Sequence, residues 1–202
     1  MDCISTIAQV FEALGTVGAV IVALVLALWG KAIQEKCFGP QLKLVLSEVE
    51  KTRDNKGQRA IHQYLKVTNP KRRSAQNVRV LLTKIETKRA DGIPVAVHDR
   101  PLQLAWDPRS ATSQFPSISG KGEMYCCLGF LGEGLGGFRL DTYLAYEQFP
   151  KGHIKPEDTP LRVSLEATAD NCKSSPPLIL EIHWDGKWED GKMDNHFVVK
   201  PA

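Results

Sequence analysis

The chain has 202 residues, of which 43% are hydrophobic and 24% charged, with 12 Pro and 16 Gly. This composition excludes a disordered or collagen-like chain, and the length suits one ordinary domain with an appendage. Five cysteines are too few for a disulfide scaffold, and their odd number argues against complete pairing. The formal charge of +3 hides an asymmetry, because all 26 Lys and Arg lie after Gly30.

Residues 13–30, ALGTVGAVIVALVLALWG, carry no charge. As a helix rising about 1.5 Å per residue they cover roughly 27 Å, close to the hydrocarbon thickness of a bilayer. The pattern predicts a short N-terminus and single transmembrane helix over 1–30, a juxtamembrane linker over 31–40 and a β domain over 41–202. No Lys or Arg precedes the span, and Lys31, Lys36 and Lys43 follow it. The positive-inside rule then places the C-terminal domain in the cytoplasm on a bacterial inner (plasma) membrane, with the N-terminus outside. A cleaved signal peptide would need a basic n-region, which is missing. Gly15, Ala19, Ala23 and Ala27 form a small-residue stripe that would let the helix self-associate into a homo-oligomer. Cys37 stands where a juxtamembrane palmitate would be carried.

After Gly39-Pro40 the hydrophobic period becomes two. Leu42, Leu44 and Leu46 alternate with polar or outward positions, and Glu48–Arg59 reads as polar turn material. Further strands are predicted at 61–68, 77–87, 101–106, 123–130, 138–145, 161–169, 178–184 and 196–200, nearly all separated by turn residues. The segment LKVTNPKRRSAQNVRVLLTKIE, Leu65 to Glu86, resembles the first strand pair of bacterial immunoglobulin-like sandwich domains. The whole layout resembles small bacterial single-span membrane proteins carrying such a domain. The resemblance implies an N-terminal transmembrane helix plus an all-β, Ig-like β-sandwich of about eight or nine strands. It brings no catalytic or binding residue with it.

Motifs with chemistry are scarce. Gly132, Gly134 and Gly137 match G-x-G-x-x-G, but a strand-like FRLDTYLAY follows where a phosphate-binding helix would be required. Cys126, Cys127, Cys172 and His183 lack metal-ligand spacing, so neither a metal nor a cofactor is expected. Neither G-x-S-x-G nor H-E-x-x-H occurs, and the five His are scattered, so an enzyme is not expected. Near the C-terminus Trp188, Glu189 and Asp190, with Asp194 beyond, could form an aromatic-acidic binding edge; the competing reading buries one Trp and leaves the acids solvated.

Residues 51–89 hold 12 Lys or Arg against two acids, a net charge of +10. Lys71, Arg72, Arg73 and Arg79 are the candidate membrane- or anion-facing patch, with anionic lipid headgroups as the expected partner. Tyr64 is the only aromatic in that stretch, which argues against a nucleic-acid stacking platform. The combined expectation is a membrane-anchored, non-catalytic recognition or scaffolding module with an unknown protein or small-molecule partner. The alternative is a ligand-gated membrane effector whose β domain senses an anionic small molecule and whose helix oligomerises. A membrane-tethered hydrolase stands further behind.

Overall fold

The computed structural model describes residues 15–30, 39–53, 57–88, 94–98, 100–107, 115–143, 153–156 and 160–202. The chain divides into two units, Met1–Gly39 and Pro40–Ala202. In the first, residues 15–30 are helical, and most of their side chains are exposed. Among the described residues no helix is long and apolar enough to cross a membrane.

That finding corrects the expected transmembrane helix and everything derived from it. The single-pass inner-membrane location, the lipid bilayer as partner and self-association of a membrane span are withdrawn. So are the membrane-anchored function, the membrane-effector alternative and the membrane-tethered hydrolase. Gly15, Ala19, Ala23 and Ala27 lie exposed on the described helix. Cys37 and the segment 31–38 fall outside the described residues.

The second unit is built from strands. These are β1 (Lys43–Arg53), β2 (Arg59–Thr68), β3 (Arg79–Lys88), β4 (Pro94–His98), β5 (Leu102–Gln103), β6 (Glu123–Gly132), β7 (Phe138–Leu140), β8 (His153–Ile154), β9 (Leu161–Thr168), β10 (Leu178–Trp184) and β11 (Phe197–Pro201). They form two open sheets. One has five strands in the order β1-β2-β6-β7-β8; the other has six, β11-β10-β9-β3-β4 with β5 also on β3. Every pairing between these strands is antiparallel. The expected Ig-like sandwich of eight or nine strands behind a membrane helix is thus corrected to two open sheets, with eleven strands among the described residues. The strands that were not expected are β4, five residues, and β8, whose two residues are too few to show a periodicity.

The long strands form where alternation is clean. In β2, Ile61, Leu65 and Val67 are buried while His62, Tyr64, Lys66 and Thr68 stay partly exposed. β9 buries Leu161, Val163, Leu165 and Ala167 and turns the residues between them outward. Inward side chains of both sheets join one hydrophobic cluster, with Leu65, Val67 and Leu128 from one and Val80, Leu165 and Ile182 from the other. Such burial of one face per strand fixes register, since a one-residue slip would expose the whole set.

Where β1 was expected to end after Leu46, it continues to Arg53. Its polar second half pairs with β2 from Val49↔Gln63 to Arg53↔Arg59. An edge strand needs only one apolar face, so the charges of Glu48, Glu50 and Lys51 do not prevent pairing. The 101–106 stretch also differs from expectation. Only Leu102–Gln103 pair with β3, whereas Leu104 bridges to Thr142 and Trp106 to Cys126. This segment leaves the six-stranded sheet and joins the five-stranded one.

The end of β2 is held by a buried amide. Asn69 is fully buried, and its Nδ2 donates to the carbonyls of Arg73 at 2.7 Å and of Ile118 and Ser119 at 3.3 Å. Its Oδ1 accepts from the backbone N–H of Gln41 and of Lys71, both at 3.3 Å. One side chain therefore links the approach to β1 with the loops that follow β2 and precede β6. Replacing it with Ala removes the donor to the Arg73 carbonyl and the acceptor for the Gln41 and Lys71 amides, while the Ile118 and Ser119 carbonyls keep the N–H groups of Ala75 and Gly122. Asn69→Ala should lower unfolding stability by roughly 2–4 kcal/mol, and Asn69→Asp should also destabilise because a carboxylate cannot donate. Urea titration of the two variants against wild type checks this.

Candidate functional site: a groove on the five-stranded sheet

The outer face of the five-stranded sheet carries an open groove of about 1000 Å³. Its shape originates in two irregularities that flank Gln63 and Tyr64. On one side the register of β1 against β2 shifts between Leu46 and Val49, so Ser47 and Glu48 together oppose Tyr64. On the other, β6 carries an extra residue opposite Gln63–Tyr64, since Gln63 faces Gly129 while Tyr64 faces Cys127. Bulges of this kind bend a strand and increase its twist. The bulge in β1 is secured from within: buried Gln63 donates Nε2 to the Ser47 carbonyl at 2.8 Å.

β1 supplies Leu46, Ser47, Glu48, Val49 and Glu50 to the groove, β2 supplies Tyr64 and Lys66, and β6 supplies Tyr125. Asp107 completes it and arrives by the crossing segment, its N–H donating to the Tyr125 carbonyl at 3.2 Å. Three carboxylates and two phenol rings therefore share one concavity. None of Glu48, Glu50 and Asp107 makes an ion pair with a described residue. Lys66 is already neutralised, with Nζ 2.5 Å from Glu123 Oε2 and 5.7 Å from the centre of the Tyr125 ring. Partial burial, with the negative charges of Asp107 and Glu50 nearby, pushes the Tyr64 hydroxyl above the ordinary phenol range. The groove is thus aromatic and electronegative.

An aromatic row continues from it along the same face. The His62 ring stacks on Tyr64 at 6.2 Å and on Phe130 at 5.3 Å, and the Arg139 guanidinium lies 5.9 Å from the Phe130 centroid. Cys127 Sγ sits 4.0 Å from His62 Nδ1, which superficially suggests a thiol–imidazole pair. Burial, with Asp141 nearby, pushes that thiol above its ordinary range, so it is not an activated nucleophile.

The residues singled out from sequence are distributed elsewhere. Lys71, Arg72 and Arg73 are exposed in the loop after β2. Arg79 does not serve the same surface, because its Nη2 lies 2.8 Å from Asp170 Oδ1 and its guanidinium covers the Phe115 ring at 5.0 Å. Lys121 joins the loop residues instead, its N–H donating to the Lys71 carbonyl at 2.9 Å. The match at Gly132, Gly134 and Gly137 lies at the turn between β6 and β7, with Gly134 at φ +81°. Among the described residues no group of three or more His, Cys, Asp or Glu is arranged to hold a metal.

Trp188, Glu189 and Asp190 belong to a self-contained loop between β10 and β11. Trp188 packs partly buried against the core, Glu189 bonds Lys192 at 2.5 Å and His196 at 3.3 Å, and Asp190 pairs with Arg59. Arg59 also forks onto Glu133 at 2.6 and 2.9 Å, so this loop is tied to the edge of the five-stranded sheet. Both acids of the expected edge are engaged inside the molecule. Glu48, Tyr64, Asp107 and Tyr125 were not singled out. The available signal was Tyr64, alone among aromatics in a basic stretch.

No protein-family model matches the chain, and no curated protein matches it in sequence. Among solved structures it is similar to the solution structure of a late embryogenesis abundant (LEA) protein, at 10% identity and a TM-score of 0.27. The match covers 95% of this chain and 88% of that one. A likeness that weak assigns neither fold family nor function. The expected resemblance to small bacterial single-span membrane proteins with an Ig-like domain is corrected: no family model and no curated protein supports it, and no helix among the described residues is long and apolar enough to cross a membrane.

The C-terminal loop carries a pH dependence. His196 Nδ1 lies 2.8 Å from Asp185 Oδ2, and Glu189 faces its other nitrogen. The hydrogen bond to Asp185, then that to Glu189, raises the imidazole above 6.5. Its stabilising contribution is fully present below about pH 6.5 and is lost as pH rises through the raised value. Asp185 and Glu189 are held below their ordinary range, by His196 and by Lys192 respectively, so their contribution is lost as pH falls through the depressed values. Melting temperature should therefore decline on going from slightly acidic to alkaline pH, and His196→Gln should flatten that decline.

Proposed function

We propose that the β unit is a non-catalytic binding domain whose groove takes an alkylammonium group. The observation that carries this reading is the charge state of the groove. Glu48, Glu50 and Asp107 face a concavity whose cation, Lys66, is committed to Glu123. An anion placed there would meet uncompensated negative charge. A cation would gain three carboxylates and the ring faces of Tyr64 and Tyr125, each of which attracts positive charge electrostatically. The raised thiol of Cys127 supports binding over covalent chemistry.

The same ammonium chemistry is offered by a free polyamine and by the lysine side chains of a basic peptide. Calorimetric titration with spermidine and with an amidated tetralysine peptide separates the two sources. Preference for the peptide assigns an extended partner; equal or stronger binding of spermidine assigns a small molecule. Glu48→Gln and Asp107→Asn should each weaken binding by about two- to fivefold, as expected of partly exposed charge pairs worth about 0.5–1 kcal/mol. Tyr125→Ala should do the same through loss of its ring face. Absence of binding by both probes at low salt, or equal affinity in the triple variant, would remove the assignment.

A further inference from the structure

Lys71, Arg72, Arg73 and Lys121 form a rigid basic corner beside the groove. Asn69 clamps the first loop through Lys71 and Arg73, and the Lys121 N–H reaches back to the Lys71 carbonyl. At position 120 only glycine fits, because a Cβ there would overlap the Arg72 carbonyl. Lys121 itself adopts a left-handed φ of +60°, which the Gly122 N–H to Ser119 carbonyl bond at 3.0 Å closes into a turn. All four side chains are exposed, and none makes an ion pair with a described residue. The entropic cost of ordering the backbone of this corner has therefore been met in folding itself.

Corner and groove have opposite charge and lie along the same two strands. Lys66 pairs with Tyr125 in the groove, and three residues further along β2 the Asn69 N–H reaches the Gly122 carbonyl. Glu48 opposes Tyr64 and Glu50 opposes His62, five and seven residues before Asn69, so at about 3.3 Å per residue the carboxylates and the corner are separated by roughly 16–23 Å. A second copy related by a two-fold axis can satisfy both patches at once, its corner entering this groove while this corner enters the groove of the second copy. Such reciprocity is what an isologous interface requires.

We infer that the chain forms a two-fold dimer in which Lys71, Arg72, Arg73 and Lys121 of each copy occupy the carboxylate groove of the other. Arginine suits this role because its planar fork can engage a carboxylate with two donors. The inference rests on the reading of the groove as a cation site, and it names the natural occupant of that site. Free alkylammonium would then act as a competitor of dimerisation.

A reciprocal charge swap on the full-length chain tests it, read by light scattering coupled to size exclusion. Wild type should be dimeric, with the dissociation constant rising about tenfold or more between low and high salt as the charges are screened. K71E/R72E/R73E, whose three acids outnumber Lys121 in the corner and whose groove is acidic, should be monomeric, as should E48K/E50K/D107K, with both patches basic. An equimolar mixture should restore a dimer, because both contacts again join opposite charges. Restoration also shows that neither variant has lost its fold. A monomeric wild type up to ~100 µM, association insensitive to both swaps, or a mixture that stays monomeric would each overturn the dimer. Binding of tripolyphosphate that depends on Arg72 and Arg73 in a monomeric wild type would overturn it too and assign the corner to an anion. The two readings fail separately. K71E/R72E/R73E retains the native groove, so spermidine binding by that variant keeps the groove assignment when the dimer falls, and loss of it removes both.

Discussion

The buried amide of Asn69 is the constraint on which the functional end of the β unit depends. At the end of β2 the chain must turn away from its sheet without leaving polar groups stranded in the interior. Asn69 resolves this with donors and an acceptor on one short side chain, spanning three segments far apart in sequence. The loop from Lys71 to Arg73 and the turn around Gly120 are then held against each other at backbone distance. A longer or purely accepting side chain could not make the same set of bonds.

β2 carries most of what matters in this domain. Its inward residues anchor the core, Gln63 secures the bulge of β1, and Tyr64 and Lys66 line the groove. The strand thus couples packing to a site: the bulges that open the groove are stable because a buried glutamine satisfies a carbonyl released by the register shift. Asp107 reaches the groove by a different device, a segment that changes sheets between Gln103 and Trp106. Opposite charges are thereby brought to the same sheet, although the sequence distributes them from Glu48 to Lys121. Charge on that scale steers association and selects partners more than it stabilises the fold.

Much of the β framework was legible in the chain. Alternation in Ile61–Thr68, Leu161–Thr168 and Leu178–Trp184 marks strands because a half-buried sheet imposes period two on its residues. The polar half of β1 was not legible, since an edge strand tolerates charge on its exposed side and local composition there matches a loop. β4 was not anticipated, and β8, two residues long, was too short to register as a pattern. The hydrophobic run before Trp29 read as a membrane span because hydropathy measures composition alone. Among the described residues, no helix is long and apolar enough to cross a membrane. The basic cluster at 71–73 was visible, while its fourth member was not, because Lys121 is fifty residues away. Arg79 was grouped with that cluster on sequence proximity alone; Asp170 draws it elsewhere.

By itself the sequence determined that residues beyond Gly39 form strands and that positive charge gathers between 51 and 89, because periodicity and composition are local properties. It also determined the scarcity of catalytic motifs. The tertiary structure alone decided that Glu48, Tyr64, Asp107 and Tyr125 share a groove, that Glu189 and Asp190 are consumed by His196, Lys192 and Arg59, and that Lys121 completes the basic corner. Each of these depends on register, bulges and a sheet crossing. Those are set by which distant residues pack and hydrogen-bond together, and no window along the chain contains that information.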